Sequence, residues 1–446
     1  MGLAEFGEFS LLLTLFLRKI FKFCFKIREI DTFASFSTTT ITTSFQCLYF
    51  QKCSFLQNRK FISYIFYAHF AYFKIPISHP TLHISHSTPP LDPLPSFLSC
   101  TSMSHLLQKA IEGIRLSPAE ALDLLKNAPW TQVAEAADMV RHRINPGNRV
   151  GYTAFRIVNY TNVCEITCSF CSFCRPAKSP EAYVLSLGEI RQKTLEAKAK
   201  GADQIFLQGG VNRDIPLSYY TDVLQMLTRE MGVKVRGFSP VELVRIAEFN
   251  GMKLDDLLDV LKAAGLSSVP GAGAEILSDR MRQILSPKKL PAKQWCDTLA
   301  ACHKKGLPGS ANIVFGSCET AEEIVEHLDY VRSTQDIAHG FKSFVVWTFQ
   351  PQTDKFPIRH VRGNEYLKLL ALSRLYLDNI PHIEVSLLGM GLSLGELGLH
   401  CGADDINSIV IEENVLQNHG LTSIAEAEAF IKNAGFTPYR RSLNFD

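Results

Sequence analysis

Charge of either sign in excess is the first thing this chain lacks: 46 Lys and Arg stand against 44 Asp and Glu over 446 residues, a formal +2. Binding nucleic acid calls for a strongly basic face, so the balance argues against that partner and for a small-molecule substrate. Long apolar runs are missing too. Leu11 to Leu17 and Phe61 to Phe73 both fall short of the about 20 apolar residues needed to span a bilayer, so no membrane partner is expected. Nor is there a signal-peptide start, since Glu5 and Glu8 precede the first apolar run and Arg18, Lys19 and Lys22 follow it. Twelve cysteines are too few for a disulfide scaffold of this length. Free thiols suit a reducing compartment, and a cytoplasmic location is the expectation.

Near Met103 the chain changes character. Residues 1–102 hold 16 of the 30 Phe, only five acidic residues, and runs such as Thr38 to Thr43 and Pro89-Pro90. No helix or strand periodicity appears there. This segment reads as a non-native or disordered extension, with the working protein starting near Met103; a targeting or membrane-associating extension is the alternative.

Beyond Met103 the pattern is regular. Ser117-Pro118-Ala119-Glu120 reads as an N-cap, a proline at the first helical position and a capping-box glutamate. A second helix is expected over about Trp130 to Arg143, so that residues 103–150 form a helical lead-in. Over residues 151–446, candidate strands lie at Phe155 to Asn159, Gln204 to Leu207, Val233 to Phe238, Ser268-Val269, Ala311 to Phe315, Ser343 to Phe349 and Glu384 to Leu388. Helical patterns fall between them at 187–200, 216–231, 240–249, 254–264, 276–284, 292–305, 320–334 and 364–379, with one more at 422–434. Such alternation implies an α/β fold, a full or partial (β/α) barrel of parallel strands with flanking helices and a C-terminal extension.

Just after the first strand stand Cys164, Cys168 and Cys171, a C-x3-C-x2-C run. Three soft thiolates on one short loop suit three irons of a cubane [4Fe-4S] cluster. The fourth iron is then free to chelate S-adenosyl-L-methionine and cleave it reductively to a 5'-deoxyadenosyl radical. Cys174 keeps other readings open: a closed zinc site, a fully ligated electron-transfer cluster, or a C-x-x-C dithiol. Other strand ends on the same side carry small or polar groups. Gly209 and Gly210 end the second strand, where a bare backbone permits close approach or simply a tight turn. Ser239 and Glu242 follow the third, and Gly271 to Glu275 the fourth; Glu275 suits a ribose or amine contact, or the start of a helix. Asn312, Gly316 and Glu319 end the fifth, and Trp347, Phe349, Gln350 and Pro351 the sixth.

The stretches Asn159 to Cys164, Arg175-Pro176 through Pro180 to Ser186, Leu207 to Val211, Pro270 to Glu275 and Glu412 to Val415 resemble the radical S-adenosylmethionine enzymes of the futalosine route to menaquinone. The resemblance runs from about Leu116 to the C-terminus. Pro180-Glu-Ala-Tyr-Val-Leu-Ser186, Trp347 to Pro351 and Gly402 to Asp405 are similar to the branch that cyclises dehypoxanthinyl futalosine. Aminofutalosine synthases and deazaflavin synthases are its neighbours, and a four-cysteine redox module is the more distant alternative. The resemblance implies that Cys164, Cys168 and Cys171 bind the cluster, that Gly209 and Gly210 lie along the methionine moiety, and that Glu275 and Asn312 make polar contacts to cofactor or substrate. A reduced flavodoxin or ferredoxin would supply the electron. The 5'-deoxyadenosyl radical would abstract the ribose C4' hydrogen, and the sugar would close onto the benzoate ring. By residue chemistry alone, Tyr160, Trp347 and Phe349 suit either a wall for the benzoate or core packing, and Arg236 suits either a fork for its carboxylate or an exposed surface position. Asp378-Asn379 and Glu412 to Asn414 belong to the family pattern without a role that chemistry assigns. Four positions depart from that pattern: Cys174, Arg236, Ser317-Cys318 and Leu387-Leu388. They concern the substrate pocket rather than the cluster.

Overall fold

A computed structural model of the protein describes residues 97–350, 357–410, 420–442 and 445. Most of the segment set apart at residues 1–102 lies outside these, as do Pro351 and Glu412 to Val415. Three helices precede the barrel: α1 (Phe97–Ile111), α2 (Pro118–Asn127) and α3 (Trp130–Ile144). The expected capping box is present. The Ser117 hydroxyl accepts from the Glu120 backbone N–H, and the Glu120 carboxylate accepts in turn from the Ser117 N–H. Both α2 and α3 pack on a later helix, Gly363–Tyr376. Asp378 and Asn379 belong to the same scaffold. Asp378 accepts from Arg115 Nε at 3.0 Å, and Asn379 donates to the Arg332 carbonyl at 2.9 Å.

Eight strands follow: β1 (Arg149–Val158), β2 (Gln204–Leu207), β3 (Lys234–Gly237), β4 (Leu266–Ser268), β5 (Gly309–Phe315), β6 (Phe341–Thr348), β7 (His382–Glu384) and β8 (Asp405–Val410). They pair in parallel in the order β4-β3-β2-β1-β8-β7-β6-β5. The two edges, β4 and β5, meet through a bridge between Val269 and Gly309 and not through a ladder. The result is a partial (β/α) barrel with flanking helices. Because helices cover the outside, β1 is buried along nearly its whole length and reads as a continuous run rather than an alternation.

Four sequence expectations are corrected. The strand placed at Glu384 to Leu388 stops at Glu384, because Ser386 accepts from the Gly389 N–H and caps a helical turn, Leu387–Met390. β8 was not anticipated: it opens on Asp405, directly after Asp404, and the two carboxylates are taken up by Arg441 and Arg374. A ninth strand, β9 (Thr437–Arg440), pairs in parallel with the start of β1 and was missed with it. The helix expected over 216–231 is helical only to Gln225, then continues as a π turn from Met226 to Glu230, where Thr228 bonds back to the Leu224 carbonyl. Among the described residues no helix is long and apolar enough to cross a membrane.

Candidate functional site

The loop after β1 is fastened before it reaches its cysteines. The Thr161 hydroxyl donates to the Tyr183 carbonyl at 2.7 Å, Asn162 accepts from the Tyr183 N–H at 2.9 Å, and Val163 bridges to Arg175. Past Cys164 the Glu165 N–H donates to the Val211 carbonyl, and Ser169 donates to the Leu285 carbonyl from both its N–H and its hydroxyl. Ile166 packs with Val211, Val241, Val244 and Leu290, and Cys164 and Cys168 rest against that cluster.

This anchoring brings Cys164, Cys168, Cys171 and Cys174 to one pocket of about 190 Å³, which Gly209, Gly210, Glu275 and Lys289 also line. Cys174 donates its Sγ–H to the Cys164 carbonyl at 3.3 Å, and burial pushes its thiol up to about 11. Burial also raises the Cys168 thiol. Among the described residues no three His, Cys, Asp or Glu side chains converge closely enough to hold a single metal ion.

The two glycines have their own local reason. A Cβ on Gly209 would lie 2.7 Å from the Tyr160 ring, and one on Gly210 would run into the Val163 carbonyl of the cysteine loop. They let β2's end press against that loop, and their backbone forms one side of the thiol pocket. Glu242 sits behind them, 2% exposed, accepting from Tyr160 OH at 2.7 Å, from the Gly209 N–H at 3.1 Å, and from Ser239. Burial raises its carboxyl above the usual range, against the pull of these donors. Tyr160 is therefore core packing rather than a substrate wall. It is buried among Tyr219, Tyr220 and Phe238, with its hydroxyl spent on Glu242.

Glu275 is held by a residue the sequence reading missed. Lys289 Nζ donates to Glu275 Oε1 at 2.8 Å and lies 5.2 Å from the Phe170 ring centre, with both partners nearly buried. Burial works against the ammonium, but Glu275 and Cys168 outweigh it and keep its pKa above the ordinary lysine value. The signal was faint: Lys288-Lys289 follows Pro287, and only the fold carries it back to the cysteines. Glu275 itself takes a positive φ of 41°, and its backbone carbonyl accepts from the Val314 N–H at 2.9 Å.

A second cavity of about 320 Å³ fills the barrel interior and shares Asn159, Phe170, Gln208, Gly273 and Glu275 with the thiol pocket. Asn312, Arg236, Trp347, Phe349 and Gln350 line it, whereas Gly209 and Gly210 do not. Gln350 donates to Thr348 Oγ1 at 2.9 Å and to the Gly389 carbonyl at 3.2 Å. Glu319 is excluded from it. That carboxylate accepts from the Gly316 and Ser317 N–H groups, each at 2.8 Å, and shapes the turn after β5. The residues present fit a cluster and its nucleoside partner: three soft thiol donors face a pocket that adjoins a chamber of ligand size.

Two family models match the chain, the radical SAM superfamily over residues 158–331 and the CofH/MqnC C-terminal region over residues 338–446. A cyclic dehypoxanthine futalosine synthase of Halalkalibacterium halodurans is 36% identical over 350 residues, covering 77% of this chain and 95% of that protein. A protein of the same name from Streptomyces coelicolor is 33% identical, covering 76% and 88%. A 5-amino-6-(D-ribitylamino)uracil--L-tyrosine 4-hydroxyphenyl transferase of Methanococcoides burtonii is 32% identical, covering 71% and 89%. Among solved structures, the FeFe-hydrogenase maturase HydG of Carboxydothermus hydrogenoformans superposes with a TM-score of 0.63 at 18% identity, covering 78% of this chain and 81% of that one. That likeness speaks for the fold alone.

Proposed function

This chain belongs to the radical SAM superfamily, within its CofH/MqnC group, and from that premise we propose that it cyclises dehypoxanthinyl futalosine. The net change is loss of the ribose C4' hydrogen and one hydrogen of the benzoate ring, with a carbon–carbon bond formed between those positions. The observation that carries the reading is that two cavities adjoin: the thiol pocket and the barrel interior share Asn159, Gln208 and Glu275. Relatives of two different names, both covering most of their length, support a radical enzyme; those of Halalkalibacterium halodurans and Streptomyces coelicolor support the cyclase.

Cys164, Cys168 and Cys171 would hold the [4Fe-4S] cluster, with S-adenosyl-L-methionine beside the backbone of Gly209 and Gly210. When bound, the pair supplies one-electron cleavage and a 5'-deoxyadenosyl radical, with reduced flavodoxin or ferredoxin as electron donor in a reducing, cytoplasmic setting. The chain's own part is to orient and to exclude. Glu275, fixed by Lys289, presents a carboxylate at the junction of the chambers, a position suited to ribose hydroxyls or an amino group. Asn312 offers its amide one strand away, inside the barrel. Trp347 and Phe349 line that interior and keep water from it. Such confinement decides which C–H bond lies nearest the radical, which is how a protein imposes selectivity on a primary carbon radical.

The coupling of a tyrosine-derived hydroxyphenyl group to a ribitylamino-uracil is the second reading, favoured by the archaeal relatives. Anaerobically reconstituted protein, dithionite and S-adenosyl-L-methionine separate the two. With dehypoxanthinyl futalosine, mass spectrometry is expected to show substrate-dependent 5'-deoxyadenosine and a product lighter by two hydrogens. Activity only with tyrosine and the ribitylamino-uracil would overturn the cyclase. Cys168→Ala is expected to lose iron and all 5'-deoxyadenosine, while Cys174→Ala, whose thiol is bonded to a carbonyl, keeps both.

A further inference from the structure

Arg236 stands in the middle of β3, in register with Phe206 of β2 and Ser268 of β4. Phe206 in turn is in register with Ile157 of β1. Asn159 and Gln208, at the junction with the thiol pocket, come two residues later on the same strands. The guanidinium strand position is thus about 7 Å deeper in the barrel than the junction, at about 3.3 Å per residue. It lines the interior cavity, its Nε is buried, and that Nε donates to nothing. The Ser268 hydroxyl beside it is also buried without a partner.

Arg236 is half-buried; a buried guanidinium nitrogen without an acceptor is costly, and barrel residues ordinarily supply one. The charged groups facing it are Glu384, Asp405 and Arg441. Arg441 holds Asp405 through two bonds and lies 3.8 Å from Glu384, whose buried Oε1 accepts no hydrogen bond from Arg441 or from Arg236. Arg236 thus faces carboxylates at a distance while its Nε donates to neither. Around it the wall is apolar and aromatic: Ile157, Phe155 and Phe206, the last two edge-on at 5.9 Å, with Trp347 from across the cavity.

Resting on the cyclase reading for the rest of the substrate, we propose that Arg236 is the specificity-determining residue that receives the carboxylate of an aromatic acid at the deep end of the interior. A carboxylate matches the guanidinium fork in two parallel bonds. The aromatic ring then lies along Phe206, and the sugar points back toward Gln208, Asn159 and Glu275. One charged contact thereby sets the direction in which the substrate enters.

Calorimetry on the anaerobically reconstituted full chain tests this with dehypoxanthinyl futalosine and its carboxamide analogue. The acid is expected to bind wild type at least about 30-fold more tightly than it binds Arg236→Gln, the loss usual when one partner of a buried charged pair is removed. The carboxamide is expected to bind both proteins within about threefold. Arg236→Lys keeps the charge without the fork and falls between them. Equal binding of acid and carboxamide by wild type would overturn the proposal without any variant, and would mean that Glu384 serves as the internal partner. Benzoate and benzamide, followed by ligand-observed NMR, separate this failure from that of the cyclase. If wild type prefers benzoate and Arg236→Gln does not, the anchor stands even where dehypoxanthinyl futalosine is not turned over.

Discussion

Two ends of one barrel interior treat buried charge differently. At the thiol end, Glu275 has Lys289 at 2.8 Å, and Glu242 has Tyr160, Gly209 and Ser239. A layer deeper, Arg236 has no hydrogen-bond acceptor for its buried Nε. The thiol end is complete in itself, so its charges serve first to hold the cysteine loop and the Glu275 loop in place. The deep end is incomplete, and an incomplete buried charge is the more direct pointer to a ligand.

The sharpest way to break this comparison is to remove one charge from each end. Lys289→Met leaves Glu275 buried without its partner and is expected to cost about 3–5 kcal/mol. Arg236→Met removes a charge whose buried Nε hydrogen-bonds to nothing in the chain, with a side chain of similar length. It is expected to stay within about 1 kcal/mol of wild type or to exceed it. Urea unfolding of the cluster-free proteins side by side reads the difference. Equal losses would show that Arg236 has an internal partner.

How much of this was legible beforehand follows the same division. Local signals carried the helices, as in the reciprocal box of Ser117 and Glu120 ahead of α2. The cysteine run, Gly209, Gly210, Glu275 and Asn312 were all visible as strand-end residues, and the fold brings them to two adjoining cavities. Residues whose meaning depends on distant partners were not legible. β8 was passed over beside Asp404 and Asp405, whose partners Arg374 and Arg441 lie 30 and 36 residues away in sequence. Lys289 reaches Glu275 across 14 residues and a helix. Tyr160 stayed open between a substrate wall and core packing for a different reason: a lone aromatic at a strand end does not disclose which side of the strand it faces.

Acid offers a milder test of the thiol end. The loop that carries Glu275 continues to Leu277, whose N–H donates to His327 Nδ1 at 3.0 Å. Burial, helped by Arg282, lowers the His327 pKa to about 3, so the folded protein needs this imidazole neutral. An unfolded histidine titrates near 6.5, so between there and about 3 the unfolded chain binds the extra proton. Stability from this group is complete above about pH 6.5 and is lost as the pH falls. The loss is expected to be about 2 kcal/mol at pH 5 relative to pH 7.5, by chemical unfolding. His327→Gln is expected to flatten that slope. A slope unchanged in the variant would assign the acid sensitivity elsewhere.

The smallest expected effect compares one motif at two depths. Ser186 with Glu189 and Ser239 with Glu242 form the same reciprocal capping box, each serine accepting from the third residue of its helix. The first is exposed, and the second is 4% and 2% accessible. Ser186→Ala loses a cap that water partly replaces, at about 1 kcal/mol. Ser239→Ala loses the cap and also one of the donors that hold a buried carboxylate, for about 2 kcal/mol in all. The excess has a direction as well as a size. Glu242 with fewer donors holds Tyr160 and the Gly209 N–H less firmly, and those two groups form the backing of the thiol pocket. Ser239→Ala is therefore expected to bind iron less completely on reconstitution while Ser186→Ala binds it fully. Iron content of the two variants, each set against its own unfolding curve, decides whether depth alone converts a helix cap into a support for the site.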